Sequence, residues 1–591
     1  MRMISRKRIW QVLSISALLM ILLAGCSGVA DRLWLRNTGW SRAEYIGTTA
    51  NSDGVPMVVA EDRIYVFLAS NVGDDIHPQV LSLNRQGVVV WETDLDEPLS
   101  QVNDLILLPQ ASNLHLFWRN NRKLYTAVLD ITGEIVQPAT LLTGDAVVDS
   151  YAAAQAPDGE ITLWYALDHR NPSLFILPLD GSQNEQILVD DQGVVPTLHY
   201  DEQGNLHAVW AHYPPGYEHP FFFYAYYPGG EYAPDQQVTI KELSTGPTSQ
   251  ISGPWMGIDN ENVYVFWSVA IRTGMSAGTI TSQYISFPLG QGTPTPEVIF
   301  SVPDEYNLPY VEFPGGDFLA GDRFIMGQSG YTGKSGLNNV STNIKPADEL
   351  AVGFDTSIKY RFRKSRNQVG VVYFSQGKPT SYQLLSFTST ESRAPMIQNG
   401  ADSHLYLTWL ERSSLSGFLV YFASTAPDVQ RALGNVRAQD VFSIIGDAVF
   451  GMLIGFVLSP FAAAIWMIVP VLIIVFTSKL RPDIDTTIGK IGTVVTLGLA
   501  VFVFWYTKFA TLGGVEYFVP FSPWIPHIPE SWFLPLQIGV PVLILLVSMF
   551  LAWNYTYRHN SESALIFILI YIATDAALTM ALYGMLIYDA V

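Results

Sequence analysis

Between residues 45 and 430, hydrophobic and polar positions follow one recurring plan: an apolar strand ending in an aromatic or bulky residue, a polar turn, then a second apolar strand. The clearest copies are 62–68, 113–118, 159–165, 205–210, 262–267 and 404–409, and weaker ones end near Met326 and Tyr373. Anchors at 68, 118, 165, 210, 267, 326, 373 and 409 lie 36 to 59 residues apart, a period that accommodates four strands per unit. Each anchor is followed by a partner strand, at 79–83, 124–130, 174–179, 221–227, 280–287, 349–354, 382–387 and 418–423. Strands such as 64–68 are apolar on both alternating faces, as expected where a sheet is covered on each side by a neighbour. Closing such sheets into a ring leaves only short, protected edges. The pattern therefore predicts an all-β propeller of about eight blades, with seven as the alternative, over residues 45–430.

Beyond residue 430 the pattern changes to long apolar runs. Residues 441–476 are almost uninterruptedly apolar, and as one helix would extend ~55 Å against a hydrocarbon core of ~30 Å. Either Ser459 and Pro460 break this run into a hairpin, or one span is preceded by an interfacial piece. Lys479, Arg481 and Lys490 follow, and basic loops belong in the cytoplasm. One crossing is therefore preferred. The α-helical transmembrane bundle is expected over 431–591, with spans near 455–478, 491–510, 536–555 and 564–588 and the C-terminus outside. Asp575 falls mid-span with Tyr571 and Thr579 one turn away on either side, and Asp447 and Lys508 both fall toward the outer leaflet, where they could pair. An ionisable residue inside a span is a functional candidate by default, here as a proton relay or an ion pair with a partner protein. Gly451 and Gly455 form a close-packing signature, and Pro520, Pro523, Pro526 and Pro529 stiffen an outer loop rich in aromatics.

At the other end, Arg2, Arg6, Lys7 and Arg8 precede an apolar run that ends in Leu23-Ala24-Gly25-Cys26. This arrangement resembles the lipobox of a bacterial lipoprotein signal, and the resemblance implies export and lipidation at Cys26. The alternative is an uncleaved signal anchor. Both place residue 27 onward outside the cytoplasm, with 27–44 as a linker. Cys26 is the only cysteine, so the exported part must be stable without disulfides. The formal charge of −20 argues against nucleic acid as a partner, and attachment to membrane lipid must come from lipidation or from the spans.

The strand units, 201–210 above all, resemble those of sialidase-like repeat propellers, although no Asp-box and no WD pairing is present. That resemblance implies a fold; a sialidase-type site would also need converging arginines, for which Arg63, Arg119, Arg323, Arg393 and Arg412 near strand ends are available. No catalytic set is assignable, and no cofactor motif is visible. The densest aromatic cluster is 212–227, where His212, Tyr217, Glu218, His219 and Tyr224 form the candidate ligand-binding loop, His212, Glu218 and His219 having metal-ligand chemistry. The alternative is a stiff hairpin whose rings pack on the next blade. His115 and His207 share a repeat position and read as structural, while Asp74, Asp75 and His77 read as a solvated turn. The expected role is a ligand-binding or scaffold module at the cell surface, its partner an extracellular glycan or protein. A sialidase-like glycan-processing enzyme and an accessory subunit of a membrane complex, recruited through the helices, are the rivals.

Overall fold

The computed structural model describes residues 39–590 apart from 61, 73–74, 96–101, 169–171, 180–185, 216–218, 245–248, 274–277, 279, 304–309, 313–333, 344–347, 362–363, 387, 389, 401, 414–416, 435–437, 479–486, 513–529 and 560–562. Cys26 and the rest of the signal-like segment lie outside the described residues, as does the proline-rich loop.

Seven antiparallel sheets follow one another along the chain. Blade 1 runs Met57–Ala60, Arg63–Val72, Asp75–Asn84 and Val89–Asp94 from the inner to the outer strand. Blade 2 is Val102–Gln110 through Ile135–Leu141, blade 3 Val148–Gln155 through Ile187–Asp190, and blade 4 Gly193–Tyr200 through Val238–Glu242. Blade 5 is Ser249–Ile258 through Val298–Phe300. Blade 6 is built from Asn338–Thr342, Leu350–Arg361, Lys364–Ser375 and Lys378–Leu384, with Tyr310–Glu312 added outermost. Blade 7 combines Ser392–Asn399, Leu405–Arg412 and Phe418–Ser424 with Glu44–Thr49 from the start of the chain. That last pairing closes the ring, because the first strand completes the last blade.

The propeller thus has seven blades rather than eight. The stretch 349–354, matched in sequence with the weak copy at Met326, is the beginning of blade 6's second strand, and Tyr373 lies on its third. Two weak repeats are one blade. Consecutive strands of a blade are both apolar, so spacing alone does not tell second from third; Met326 itself lies outside the described residues. The linker also ends earlier than the pattern suggests: Trp40 is buried and donates its indole N–H to the Tyr373 hydroxyl at 3.0 Å.

Five tryptophans, Trp118, Trp164, Trp210, Trp267 and Trp409, occupy the second strands of blades 2, 3, 4, 5 and 7 and are fully buried. Each removes roughly 200 Å² from water, gross stabilisation of about 5 kcal/mol before entropy is counted. Their recurrence explains the sequence period: one large ring per blade fills the wedge between adjacent sheets.

Six inner strands share a second device. Their pairing with the second strand is interrupted between Asn103 and Ile106, Val148 and Ser150, Val194 and Thr197, Ser252 and Trp255, Asn338 and Ser341, and Arg393 and Met396. In five of these bulges a residue takes positive φ: Asp104 (55°), Val195 (51°), Gly253 (101°), Asn339 (45°) and Ala394 (50°). Pro196, Pro254 and Pro395 follow three of them. Proline is tolerated there because the inner strand is an edge strand facing the central channel.

After blade 7 a short helix, α1 (Pro427–Leu433), buries Val429 and Leu433 against blades 1 and 7. Helices α2 (Ala438–Ser478), α3 (Thr487–Thr511), α4 (Glu530–Arg558) and α5 (Ala564–Ala590) follow, and all four are long and apolar enough to cross a membrane. Pro460 and Pro470 lie within one continuous α2, so this stretch is one unbroken helix and not a hairpin. Helix α5 packs on the other three.

Candidate functional site

The two mouths of the ring differ. Inner strands begin at one mouth and turn into the second strands at the other. The chain enters and leaves at the turn side: Ser41 N–H donates to Ser424 O at 2.7 Å, and the Gln430 side chain bonds both Gly39 O and Thr425 O. The bulges lie at the opposite, distal mouth, where charged side chains gather.

There Asp53, in the loop before blade 1, receives the Asp104 N–H of blade 2's bulge and lies within electrostatic reach of Arg119 and Arg393. Arg119 pairs with Asp104 at 2.8 Å and donates to the bulge carbonyls Val148 O, at 3.2 Å, and Asp149 O. Arg122 bridges Asp149 and Asp168 at 3.0 and 3.1 Å. Between blades 6 and 7, the fully buried Asp355 accepts from the Ala394 N–H at 3.1 Å and from Asn339 and Asn367. Ser150 of blade 3 accepts the Val195 N–H of blade 4 at 3.0 Å. Arg122 apart, whose partners are carboxylates, a side chain of one blade satisfies a backbone group freed by a bulge in the next. Burial pushes the carboxyls of Asp53, Asp104 and Asp355 up, with the nearby guanidiniums and hydrogen bonds opposing it. Burial likewise pushes the Tyr151 hydroxyl well up; it donates to Asp104 O.

The central channel holds a cavity of about 240 Å³ lined by all seven inner strands, with Met57, Leu107, His199, Met256, Thr342 and Gln398 among its walls. His199 Nε2 lies 2.9 Å from Met256 O, which also accepts from Thr342 Oγ1 at 2.7 Å. The arrangement can hold a ligand by guanidinium and carboxyl contacts at the rim and by largely apolar contact below. Among the described residues no group of His, Cys, Asp and Glu is placed to hold a metal.

The sequence candidates scatter. His212 ends the second strand of blade 4 on this distal face, where its Nδ1 lies 2.8 Å from Asp190 Oδ2 and its ring stacks on Phe223. Asp190 also accepts the Trp210 indole N–H at 2.6 Å. His219 is half-buried, and Tyr217 and Glu218 lie outside the described residues. Tyr224 is not a loop residue: it is 1% exposed, lies 2.8 Å from His207 Nδ1 and presents nothing to a ligand. Its alternating strand position puts it between blades 4 and 5. Of the arginines, Arg119, Arg393 and Arg412 share the distal face, Arg63 is at the opposite end against Ser82, and Arg323 lies outside the described residues. The carboxylates around them were not legible from spacing; the recurrent proline at the start of an inner strand was the available signal.

In the bundle, Lys508 of α3 pairs with Asp575 of α5 at 2.6 Å, both fully buried, and Thr579 donates to the same Oδ1 at 3.1 Å. Lys508 therefore meets Asp575; the Asp447 side chain lies outside those described. Helices α3 and α5 lie side by side, close enough for the lysine stem to reach. Among the described residues the Tyr571 hydroxyl and Asp575 Oδ2 have no hydrogen-bond partner, and the Tyr571 ring packs edge-on against Phe504. Asp575 is thus satisfied within the chain on one oxygen.

No known protein family and no curated protein sequence matches the chain. Several solved structures resemble part of the chain. Polysaccharide lyase Uly1 is 10% identical over 64% of this chain and 91% of its own, with a TM-score of 0.42. The β-propeller domain of the Trilobed protease from Pyrococcus furiosus is 8% identical over 64% and 94%, with a TM-score of 0.34. A subtype N10 neuraminidase-like protein of A/little yellow-shouldered bat/Guatemala/060/2010 is 10% identical over 55% and 94%, with a TM-score of 0.30. At these identities and scores the likeness says nothing about a substrate.

Proposed function

We propose that the chain is a membrane-anchored, extracytoplasmic ligand-binding propeller. One observation carries this reading: both ends of the propeller leave from the turn-side face, while the half-buried charges gather at the opposite mouth. A ring tethered at one face presents the other. Membrane lipid holds the four helices, and the basic loop after α2 and the lipobox-like start agree on which side the propeller lies.

Two measurements on the full chain test the reading. Asp145 is on the distal face with a fully exposed side chain, so Asp145→Cys should react with a membrane-impermeant maleimide on intact cells. Labelling only after lysis would place the propeller inside and overturn the proposal. Purified in nanodiscs, the protein should show a saturable rise in melting temperature with a cognate glycan or peptide, because a ligand that binds only the native state stabilises it. Asp53→Asn should abolish that rise; a ligand indifferent to Asp53 and Arg119 variants would bind elsewhere.

A further inference from the structure

Fifteen large apolar side chains of the propeller are exposed among the described residues, and twelve of them lie on the turn-side face from which both chain ends leave. The other three, Val147, Val195 and Tyr213, are on the distal face. The twelve are not scattered singly, as surface apolar residues ordinarily are. They recur where the third strand of a blade turns into its outer strand, at residues 88–90 in blade 1, 135–136 in blade 2, 187–188 in blade 3 and 298–299 in blade 5. Val238 and Tyr45 hold the same place in blades 4 and 7. Six blades contribute, so the exposed groups form a collar around the face.

The turns of the same face carry Glu134, Asp158, Glu160, Glu202 and Glu261, all exposed. Arg85, on this face too, is held by Asp402 and Asp428 at 3.1 and 3.5 Å. Such a face is repelled by an anionic lipid surface. Phosphatidylethanolamine is different: it is zwitterionic and presents a primary ammonium outermost, from which a carboxylate accepts a charge-assisted hydrogen bond. The tether keeps the face near a bilayer. Helix α1 is docked on the propeller through Val429 and Leu433, α2 begins at Ala438, and the stretch able to span begins at Val449. Fully extended chain from Leu433 to Ala438 and helix from there to Val449 reach about 35 Å at most. A tilted helix brings the face down onto the headgroups.

We infer that the turn-side face of the propeller lies on the bilayer, its apolar collar set among zwitterionic headgroups and its carboxylates receiving their ammonium groups. This rests on the reading of the chain as membrane-anchored, and is independent of what the distal mouth binds. A collar drawn from six blades suits a plane, whereas a single protein partner would meet one sector of the ring.

The test uses the full chain with Cys26→Ser, in nanodiscs of phosphatidylethanolamine and phosphatidylcholine doped with a lipid that carries a nitroxide quencher on its headgroup. Ile299 is 68% exposed on the collar, and Asp145 is fully exposed on the distal face. A bimane on Ile299→Cys should be quenched, and one on Asp145→Cys should stay bright. Ile135→Ser with Val136→Ser, Ile187→Ser and Leu188→Ser should relieve the quenching at Ile299→Cys, and circular dichroism separates lost contact from misfolding. Replacing part of the lipid with phosphatidylglycerol should relieve it too, and added salt should restore it. Equal brightness at the two positions, quenching untouched by the serine variant, or stronger quenching with phosphatidylglycerol would overturn the inference. A bright Ile299→Cys reporter in discs that hold two chains, counted by light scattering, would give the collar to a second copy instead. Labelling of Asp145→Cys on intact cells together with a bright Ile299→Cys reporter would overturn this inference alone and leave the membrane-anchored reading standing.

Discussion

Lys508 and Asp575 form a fully buried ion pair 2.6 Å long within an apolar bundle. Removing one partner leaves the other charge without its counter-ion and with no water to replace it. Lys508→Met strips Asp575 Oδ1 of one of its two donors, Thr579 being the other, and Oδ2 already has none. Breaking a buried pair in this way costs about 3–5 kcal/mol, whereas replacing both members with apolar groups of similar volume is close to neutral. Lys508→Met and Asp575→Leu should therefore each cost about 3–5 kcal/mol, and the double variant less than either alone. A double-mutant cycle on the full chain in detergent, unfolded by a denaturing detergent and followed by circular dichroism of the helices, reads the coupling directly. Single costs below about 1 kcal/mol, or a double variant equal to their sum, would refute the claim that this pair fastens α3 to α5.

Three more predictions follow from the same geometry. A Cβ on Gly455 would collide with Met580 O, whereas one on Gly446 meets none of the described residues; Gly455→Ala should push α2 off α5 and cost more than about 2 kcal/mol, and Gly446→Ala should be neutral or stabilise by up to about 1 kcal/mol in the same unfolding assay. Asp53, Asp104, Asp355 and Glu411 all have carboxyls raised by burial, so each holds its proton more tightly folded than unfolded. Their contribution is complete below the ordinary carboxyl value of about 4 and is lost as pH rises through the raised folded values, so the propeller's Tm, followed by fluorescence of its buried tryptophans, should fall over the interval above that value and fall less in Asp355→Asn. Asp201 and Asp402 are lowered, the hydrogen bonds they accept outweighing desolvation, and so act only as pH falls below about 4; a Tm that climbs over the upper interval would sink this account. Asp190→Ala would orphan the Trp210 indole N–H and loosen His212, at a cost of about 1–3 kcal/mol in chemical denaturation, and an unchanged midpoint would show that water replaces the carboxylate.

The propeller was legible because its signal is repeated: Trp118, Trp164, Trp210, Trp267 and Trp409 recur at one strand position, and a ring per blade is what wedge-shaped packing requires. The four long apolar helices were legible because an apolar run of that length has few other folded forms. The blade count was not, since successive strands of a blade have the same apolar character and only hydrogen-bonded register distinguishes a second strand from a third. The 212–227 cluster was conspicuous by composition, yet strand alternation sends Tyr224 inward and leaves His212 outside.

The sequence by itself thus determined the class of each half and its solvent, because hydrophobic periodicity is local and repeats. Only the tertiary structure decided which charges meet. Asp53 with Arg119 and Arg393, Asp355 with the Ala394 N–H, and Lys508 with Asp575 are each far apart along the chain, and their encounters depend on ring closure, bulge geometry and helix packing. Those are properties of the assembled fold, which no local pattern of residues encodes.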